Sequence, residues 1–498
     1  MCLGLMALHR NMRSYIGKSV LLIVLSLLFL PFDTFVLFCL YCVNFFIPNA
    51  VGAGGRRSPR PMPRTILITG VGMTKGLALS RIFYRAGHHV IGADFEHGGV
   101  SVCGRFSKGL RKFYTLSAPD ESNGATKYIQ DLVSVIRRED VDLWVSCSGV
   151  ASAVEDGQAK QVVEQQTDCV AIQFDAATTA MLHEKDTFMG KVSQLGLPMP
   201  ETHNVTSRGA VHRVLHGSPK KKYIMKSIGV DDATRGDMTI LPRRTLSQTY
   251  THIAQIPISP SNAWVLQEYV RGKEYCTHAL IIRGKVKAFV ACPSLELLMH
   301  YEALPPDSAL SQAMLRFTRQ FAARSNGEFT GHLSFDFLVD EIPTEKGVDS
   351  ILRPIECNPR AHTAVALFDG QSRAMADAYL SALGRDMNGS TSESTAAIVF
   401  PAYPPHKYYW IGHDLVTKLL APLPDVLGGR MSISAYFGEV VSFIDHVVFW
   451  KDGTFEVWDP VPWWWLYHVY WPGQFLASVL QGRRWSRINV STIKMFVC

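Results

Sequence analysis

The most apolar part of the chain is a run near the N-terminus, from Val20 to Ile47, in which Asp33 is the only charged residue. A bilayer-spanning helix needs about 20 apolar residues, whereas the core of a signal peptide has about 7–15. The run therefore predicts a membrane anchor in preference to a leader or a buried soluble helix. Pro31 and Asp33 interrupt it midway, which leaves two geometries open: one tilted span, or a re-entrant hairpin with both ends cytosolic.

After a Gly-, Pro- and Arg-rich linker at Val51–Pro63, the pattern changes to short apolar strands that alternate with amphipathic helices. Strand Thr65–Thr69 runs into a glycine-rich turn, a helix follows, and a second strand ends at Asp94. The alternation continues as far as strand Cys169–Phe174. This pattern predicts a Rossmann-like α/β domain with a parallel sheet over residues 64–180, preceded by a segment, residues 1–63, that holds anchor and linker.

Strands and helices cluster rather than alternate over residues 181–385, which predicts an α+β domain. We expect helices at Thr187–Leu195 and Ser308–Arg324, and strands at Lys222–Ile228, Trp264–Tyr269, Glu274–Ile282, Val286–Cys292, His332–Val339 and Ile351–Glu356. An acidic, turn-rich insertion is expected between the last two strands.

The remaining residues, 386–498, form an aromatic-rich C-terminal region. Eight of the ten tryptophans lie after residue 400, and the run Val461–Leu476 has only His468 and Gln474 as polar breaks. Aromatic side chains of this kind either fill a core or favour a membrane interface. Both interpretations stay open.

Composition narrows the class of protein. A length of 498 residues suggests about three domains. A net charge of +7 is too small for a chain that coats nucleic acid, so no nucleic-acid partner is predicted. Ten cysteines without zinc-type spacing predict reduced thiols and a cytosolic catalytic region. Both flanks of the apolar run are basic, which favours a cytosolic position for each flank. The basic residues are Arg10, Arg13, Lys18, Arg56, Arg57, Arg60 and Arg64.

The glycine-rich turn is the first candidate for chemistry. Gly70, Gly72 and Gly76 precede a helix, and Asp94 ends the next strand. Such a turn lets a phosphate approach the backbone, so one hypothesis is an NAD(P)-dependent oxidoreductase. Many α/β sheets need glycine at this turn for other reasons, and Lys75 within it could still meet an anion.

The second candidate is a set of oxygen ligands. Glu356 and Asn358 alternate by two at a strand end and so face the same side, and Asp336 lies on the preceding strand. If the strands pair, two carboxylates and an amide converge, a set that suits Mg²⁺ bound to nucleotide phosphates. Solvated polar residues at a strand end are the other interpretation. Arg360 follows two residues later.

Two lysines and a strand end could serve a nucleotide. Lys226 stands inside an apolar strand. A buried ammonium needs an anionic partner such as phosphate. The other interpretation is that this strand lies at the edge of a sheet and that Lys226 is solvated. Lys185 precedes a helix and by itself would be a surface residue. The end of the strand that holds Gln267, Glu268 and Val270 could meet an adenine edge, and Glu274 could take ribose hydroxyls.

Taken together and in this order, these motifs resemble the ATP-grasp superfamily over residues 64–370. The resemblance implies that Lys185 and Lys226 contact ATP phosphates, that Gln267, Glu268 and Val270 line the adenine site, and that Glu274 meets the ribose. It further implies that Asp336, Glu356 and Asn358 hold Mg²⁺ and that Arg360 meets the transferring phosphate or the acyl phosphate. The loop expected over the phosphates, residues 229–239, has only two glycines, and Arg235 is expected to replace some backbone contacts.

A narrower resemblance covers nearly the whole chain. Six segments of the chain are similar to the mycosporine-glycine synthase family. They are residues 70–94, 223–242, 265–278, 355–365, 408–415 and 459–468. That resemblance implies a C–N bond-forming ligase in secondary metabolism. It would phosphorylate 4-deoxygadusol, or another carboxylate or enolic acceptor, with ATP and couple it to glycine or another amino acid. His278, His332 and His362 lie near the motif strands and are candidate bases or packing residues.

Overall fold

A computed structural model describes residues 15–46, 62–120, 124–147, 149, 153–228, 238–294, 299–325, 329–344, 347–384 and 397–497. The predicted mixed α/β architecture, with a parallel sheet, is confirmed. The predicted boundaries of the four segments, residues 1–63, 64–180, 181–385 and 386–498, stay predictions.

The first sheet is parallel, with strand order β3-β2-β1-β4-β5. Its central strand buries Ile66, Leu67 and Ile68 completely, as expected for a strand covered on both faces. The strands are β1 (Thr65–Thr69), β2 (His89–Asp94), β3 (Lys112–Thr115), β4 (Leu143–Val145) and β5 (Val170–Ile172), after the N-terminal helix α1 (Tyr15–Phe46), and the accompanying helices are α2 (Thr74–Arg85), α3 (Thr126–Glu139) and α4 (Ala153–Gln166).

Two antiparallel sheets follow, in the orders β6-β8-β7 and β10-β9-β11-β12. The strands are β6 (Thr202–Val205), β7 (Tyr223–Ser227), β8 (Trp264–Glu268), β9 (Lys273–Ile282), β10 (Lys285–Pro293), β11 (Gly331–Thr344) and β12 (Gly347–Asn358). The helices are α5 (Ala176–His183), α6 (Lys185–Gln194), α7 (Arg208–Gly217), α8 (Leu246–Gln255), α9 (Ala309–Arg324) and α10 (Ser372–Leu380), with a 3₁₀ segment at Thr363–Phe368.

Strands β11 and β12 are longer than the sequence pattern predicted. Backbone pairing of β11 with β12 continues to Thr344 opposite Gly347, so the expected turn-rich insertion was wrong. The alternation of apolar and polar residues fades toward the turn between β11 and β12. Backbone hydrogen bonds between the two strands do not depend on that alternation, so the pairing continues beyond it. A register shift between Asp336 and Phe337 marks an irregularity beside the predicted metal ligands.

Strand β11 has two faces of different chemistry. Leu333, Phe335 and Phe337 belong to an apolar core, and the residues between them, Ser334 and Asp336, point to the opposite side. Ser334 is as fully buried as its apolar neighbours. The polar side of the strand is therefore an internal surface of the protein rather than a solvated one.

The C-terminal region packs on the parallel-sheet domain and on α1. Its tryptophans are largely internal, since Trp410, Trp463, Trp471 and Trp485 are each at most 8% exposed, which supports the core interpretation for these side chains. Its elements are β13 (Tyr408–Tyr409), α11 (Ile411–Asp414), α12 (Leu423–Leu427), α13 (Ile433–Phe449), β14 (Lys451–Asp452), α14 (Val461–Trp465), α15 (Trp471–Leu480), β15 (Trp485–Asn489) and β16 (Lys494–Val497), with π-helical turns at Leu415–Leu420 and Leu466–Tyr470.

A row of exposed apolar side chains in this region lies along α13. No residue of this helix is buried, and large apolar side chains along it are between 51% and 78% exposed: Ile433, Phe437, Val441, Ile444 and Val448. The sequence analysis did not single out this helix.

Helix α1 is continuous through Pro31 over 32 residues, and it is long and apolar enough to cross a bilayer by length and composition. The re-entrant hairpin is therefore wrong for this structure. Ser19, Ser26 and Asp33, spaced by seven residues, all meet the C-terminal region. Trp485 Nε1 donates to Ser19 Oγ (3.1 Å), Ser26 Oγ donates to the Tyr467 carbonyl (2.9 Å), and Asp33 lies 2.8 Å from His468 Nε2.

A buried ion pair joins α2 to the C-terminal region. Arg81 Nε lies 2.9 Å from Asp459 Oδ2, with the side chains 6% and 0% exposed. Ser107 Oγ and the Lys108 N–H donate to the same carboxylate, at 2.6 and 2.8 Å. Removal of the carboxylate would leave the Arg81 charge buried with these donors unused.

We therefore expect Asp459→Ala to lower the free energy of unfolding by about 3–5 kcal/mol. Asp425→Ala is the matched control, because its partner Arg430 is 59% exposed, and should cost less than about 1 kcal/mol. Urea unfolding followed by tryptophan fluorescence measures both. Equal losses would contradict a structural role for the buried pair.

Candidate active site

The three predicted oxygen ligands meet at the paired ends of β11 and β12. Asp336 stands directly opposite Glu356, and Asn358 Nδ2 donates to Asp336 Oδ2 at 3.1 Å. Asp336 Oδ1 and Asn358 Oδ1 are buried and have no hydrogen-bond partner within the described residues. Burial, followed by the charges of Glu356 and Glu274, raises the pKa of Asp336 well above its usual value. Crowded carboxyl oxygens with spare lone pairs fit a divalent cation such as Mg²⁺.

Lys226 approaches this set from the neighbouring sheet. It lies on β7, and its Nζ donates to Gln267 Oε1 on β8 at 2.7 Å. Burial, followed by the positive charge of Lys185, lowers the pKa of Lys226 to about 8, and the charges of Glu356 and Glu274 oppose this shift. The two predicted phosphate lysines therefore lie within electrostatic reach of each other and of a predicted metal ligand. Lys185 is the first residue of α6 rather than a residue before the helix.

The residues predicted for adenine and ribose lie at the end of β8 and the start of β9. Gln267 is 2% exposed and is the partner of Lys226, so its side chain orients the lysine. The Glu268 carboxylate accepts from the Glu201 N–H at 3.1 Å, and the Glu268 N–H donates to the Glu201 carbonyl at 2.8 Å, so both groups are engaged within the protein. Val270 is buried just past the strand end. Glu274 is exposed, and its Oε1 accepts from Ser294 Oγ at 3.0 Å.

Arg360 and three histidines stand next to the metal ligands. Arg360 is close enough to oppose the upward shift in the pKa of Asp336. Burial lowers the pKa of both His278 and His362 to about 3, and it also holds the pKa of His332 well below its usual value. These histidines are therefore neutral hydrogen-bonding groups. Arg235 and Gly236, in the loop expected to cover the phosphates, lie outside the described residues.

The glycine-rich turn has its polar groups occupied internally. Asp94 Oδ2 accepts from the Gly72 N–H at 2.7 Å, and Asp94 Oδ1 accepts from the Phe95 N–H at 2.8 Å. Burial raises the pKa of Asp94 to about 6. The Thr74 N–H donates to the Ser491 carbonyl at 2.9 Å, so the C-terminal region covers the start of α2. The carboxylate on which a dinucleotide site would depend instead holds the turn.

A group of three residues that the sequence pattern did not indicate joins the C-terminal region to the segment around His300. Asp414 is fully buried between His300 Nε2 and His446 Nδ1, at 2.9 and 2.5 Å. Burial disfavours its charge, but hydrogen bonds from both histidines keep the pKa of Asp414 below its usual value. No spacing in the sequence indicates this contact, because His300 is more than 100 residues from the other two.

Neither the protein-family models nor the curated proteins gave a match to this chain. Similar folds occur among solved structures. N5-carboxyaminoimidazole synthetase from Staphylococcus aureus has 13% identity and a TM-score of 0.46, over 66% of this chain and 80% of that one. L-amino acid ligase from Bacillus licheniformis has 12% identity and a TM-score of 0.39, over 60% and 68%. Likenesses at this level do not establish an activity, which has to come from the residues of the site.

The crowding of Asp336 yields a test of the metal site. Because the folded-state pKa of this carboxyl is raised, the unliganded protein should lose stability as pH rises above the ordinary value of about 4. Asp336→Asn should weaken this loss and raise the melting temperature without ligand by roughly 2–4 °C at neutral pH.

The same variant should lose the stabilisation that Mg²⁺ and ADP give the wild type, about 2.7 kcal/mol at a hundredfold excess over Kd. Glu302→Gln is the control, since Glu302 is 46% exposed and pairs with Lys407. It should leave both melting temperatures unchanged. An undiminished ligand response in Asp336→Asn would exclude Asp336 as a metal ligand.

Proposed function

We propose that this protein is an ATP-grasp ligase that uses ATP and Mg²⁺ to form a C–N bond. The observation that supports this proposal most is the convergence of Lys226, held by Gln267, on the Asp336, Glu356 and Asn358 set. Cations beside unpartnered carboxyl and amide oxygens suit a polyphosphate bridged to a metal ion.

Each part of the site has a role in this proposal. Lys185 and Lys226 hold the phosphates of ATP, and Glu268, Val270 and Glu274 lie where the nucleoside would bind. Asp336, Glu356 and Asn358 would hold Mg²⁺, which neutralises phosphate charge when bound. Arg360 balances charge on the transferred phosphoryl group or on the activated acceptor.

The chemistry requires positioned charges and no covalent nucleophile on the protein. An acceptor oxygen forms a bond to the γ-phosphorus of ATP as the bond to the bridging oxygen breaks and ADP leaves. The amine of an amino acid then attacks the activated carbon, and phosphate departs as the C–N bond forms. Positioning and electrostatic stabilisation supply most of the catalysis in phosphoryl transfer.

For the substrates we propose an enolic or carboxylate acceptor and an amino acid, with 4-deoxygadusol and glycine as the first pair. This choice follows from the similarity of segments 223–242 and 355–365 to the mycosporine-glycine synthase family. The products would belong to secondary metabolism. An NAD(P)-dependent oxidoreductase is the less favoured alternative, because Asp94 is bonded to the backbone of its own turn.

We also propose that the enzyme is attached to a membrane with its catalytic region in the cytosol. Helix α1 is long and apolar enough for an anchor, and the basic residues between it and the catalytic region, Arg56, Arg57, Arg60 and Arg64, favour the cytosolic side for that region. The apolar face of α13 supplies a second surface for lipid. Two apolar elements on one protein make attachment stronger than either would alone.

The ligase proposal predicts that ADP forms only when both an acceptor and an amino acid are present. Lys226→Ala and Glu356→Ala should each lower this rate at least about a hundredfold, because each removes a charge that contacts the phosphates or their metal. Lys222→Ala is the matched control, since Lys222 is exposed near the start of the same strand. Mass spectrometry of the products, with a panel of amino acids plus 4-deoxygadusol, identifies the substrates. Full turnover by either site variant would exclude this site.

The membrane proposal predicts that the full-length protein sediments with membranes and needs detergent for release. Removal of residues 1–60 should release most of it, and a residual fraction should remain through α13. In the truncated protein, the double substitution Phe437→Ser and Val441→Ser should abolish this remaining membrane-bound fraction. Both side chains are more than half exposed and would contact the lipid. A full-length protein that is soluble without detergent would contradict both attachments.

A further inference from the structure

Helix α1 contacts the rest of the protein near both of its ends. Close to its start, Lys18 Nζ lies 5.7 Å from the centre of the Trp485 ring. Close to its end, Asn44 Nδ2 donates to the Val457 carbonyl at 2.9 Å. From Lys18 to Asn44 a helix rises about 39 Å, which is more than the thickness of about 30 Å of the hydrocarbon core of a bilayer. The contacts of α1 with the protein therefore extend over more than the length of a span.

The middle of α1 is bonded to the same surface. Ser26 Oγ lies 3.1 Å from His468 Nδ1, and Asp33 Oδ2 lies 2.8 Å from His468 Nε2. Trp464 Nε1 donates to Thr34 Oγ1 at 3.1 Å. The His468 side chain is 2% exposed, so its partners on α1 shield it from solvent. Because a buried polar group costs free energy when its partner is removed, these contacts hold the helix to the protein.

The layer beneath α1, formed by α14, the π-helical turn and α15, is itself packed on the parallel-sheet domain. Trp465 Nε1 donates to the Ser101 carbonyl at 2.8 Å, and the Trp465 ring lies 3.9 Å from that of Phe106. Gln474 Nε2 donates to the His97 carbonyl at 3.3 Å. This layer thus lies between α1 and the domain. Lipid could surround α1 only if the helix gave up these contacts with the protein.

The outward face of α1 is a row of large apolar side chains at spacings of three or four residues. Each of them is between 42% and 70% exposed: Leu21, Val24, Leu28, Phe32 and Phe35. At 3.6 residues per turn this row lies opposite Ser19, Ser26 and Asp33. The helix therefore has one face bonded to protein and another whose chemistry suits acyl chains.

The charges at the two ends of the helix match a single membrane surface. Three basic residues stand at its N-terminal side, Arg10, Arg13 and Lys18, and four follow it in the sequence, Arg56, Arg57, Arg60 and Arg64. A span would put one of these groups on the far side of the membrane, which basic flanks disfavour. A helix parallel to the surface keeps both groups at the anionic headgroups of one leaflet.

We propose that α1 lies in the plane of the membrane, within the cytosolic leaflet, and that its N-terminus is on the same side as the catalytic region. This inference rests on the proposed membrane attachment and specifies its geometry. The inward face of α1 stays bonded to the C-terminal region, and the outward face enters the boundary between headgroups and acyl chains, as in other in-plane amphipathic helices.

The depth of three labels distinguishes this geometry from a span. Nitroxide labels are attached at Leu21→Cys, Leu28→Cys and Phe35→Cys in the full-length protein, bound to vesicles of phosphatidylcholine and phosphatidylglycerol. Accessibility to oxygen and to a nickel chelate gives the depth of each label. We expect three equal depths, because all three positions lie on the outward face. In an upright span, successive labels would be about 10 Å apart along the membrane normal. Depths that change along the helix, or that peak at Leu28, would overturn the proposal.

The labelled proteins need a background without other reactive thiols. Cys2, Cys39, Cys42 and Cys498 are changed to Ala in each of them, since the remaining six cysteines are buried. A second measurement needs no cysteine variant. In sealed membranes that expose their cytosolic face, protease should remove both an N-terminal and a C-terminal tag from the wild type. An N-terminal tag that is protected while the C-terminal tag is cut would overturn the in-plane position.

Two substitutions two residues apart test which face of α1 meets the lipid. Leu28→Ser, on the outward face, should lower the affinity for vesicles about tenfold, because it removes a side chain that enters the acyl chains. Ser26→Ala, on the inward face, should leave the affinity unchanged. Vesicle flotation measures both, and equal affinities of the two variants would contradict the assignment of the faces.

The membrane attachment and the geometry of α1 can fail separately. A wild type that does not bind vesicles would refute the attachment itself. A protein that binds, but whose labels lie at different depths, would refute only the in-plane position.

Discussion

Burial of ionisable groups is the constraint on which the candidate site depends. Asp336, Lys75 and Lys226 are all shifted toward their neutral forms, the carboxyl upward in pKa and the two lysines downward, with burial as the largest cause in each case. The protein without ligands therefore holds charges that its interior disfavours. In the proposed function, a metal ion and anionic substrates would relieve this cost, which would couple ligand binding to stability at the site.

The same constraint explains the composition of β11. A strand covered on both faces usually reads as a continuous apolar run, yet this one alternates apolar and polar side chains. Phe335 and Phe337 pack with Phe317 of α9, at ring distances of 5.3 and 5.2 Å. That face supplies the burial that fixes the strand. The opposite face is then free to carry polar groups, which are held in place by the rigid sheet rather than by a loop.

The sequence allowed prediction of features that depend on short separations. The strand around Lys226, the hairpin of β9 and β10, and the alternation of Glu356 with Asn358 all follow from local periodicity. Contacts across the chain were not predictable in this way. Arg81 and Asp459 form a buried ion pair across a separation of 378 residues, and nothing in either segment indicates the other.

Helix α1 shows a similar limit. Ser19, Ser26 and Asp33 look like isolated breaks in an apolar run, and only the structure shows that they share one face against the C-terminal region. The mean hydropathy of the run does not reveal these positions, because three polar residues barely change an average over so many apolar ones. The position of α13 was missed for the opposite reason, since an exposed apolar helix has the same composition as a buried one.

The glycine-rich turn illustrates why a motif must be judged by its surroundings. A Cβ at Gly76 would lie 2.2 Å from the Gly70 carbonyl oxygen, and Gly70 itself adopts a φ of +74°. Both positions therefore require glycine to let α2 begin against β1, whether or not a phosphate binds there. The same turn carries Lys75 into the interior, where it is 3% exposed. A turn that resembles a dinucleotide site by sequence is therefore explained by packing, because its glycines let the helix begin close to the strand.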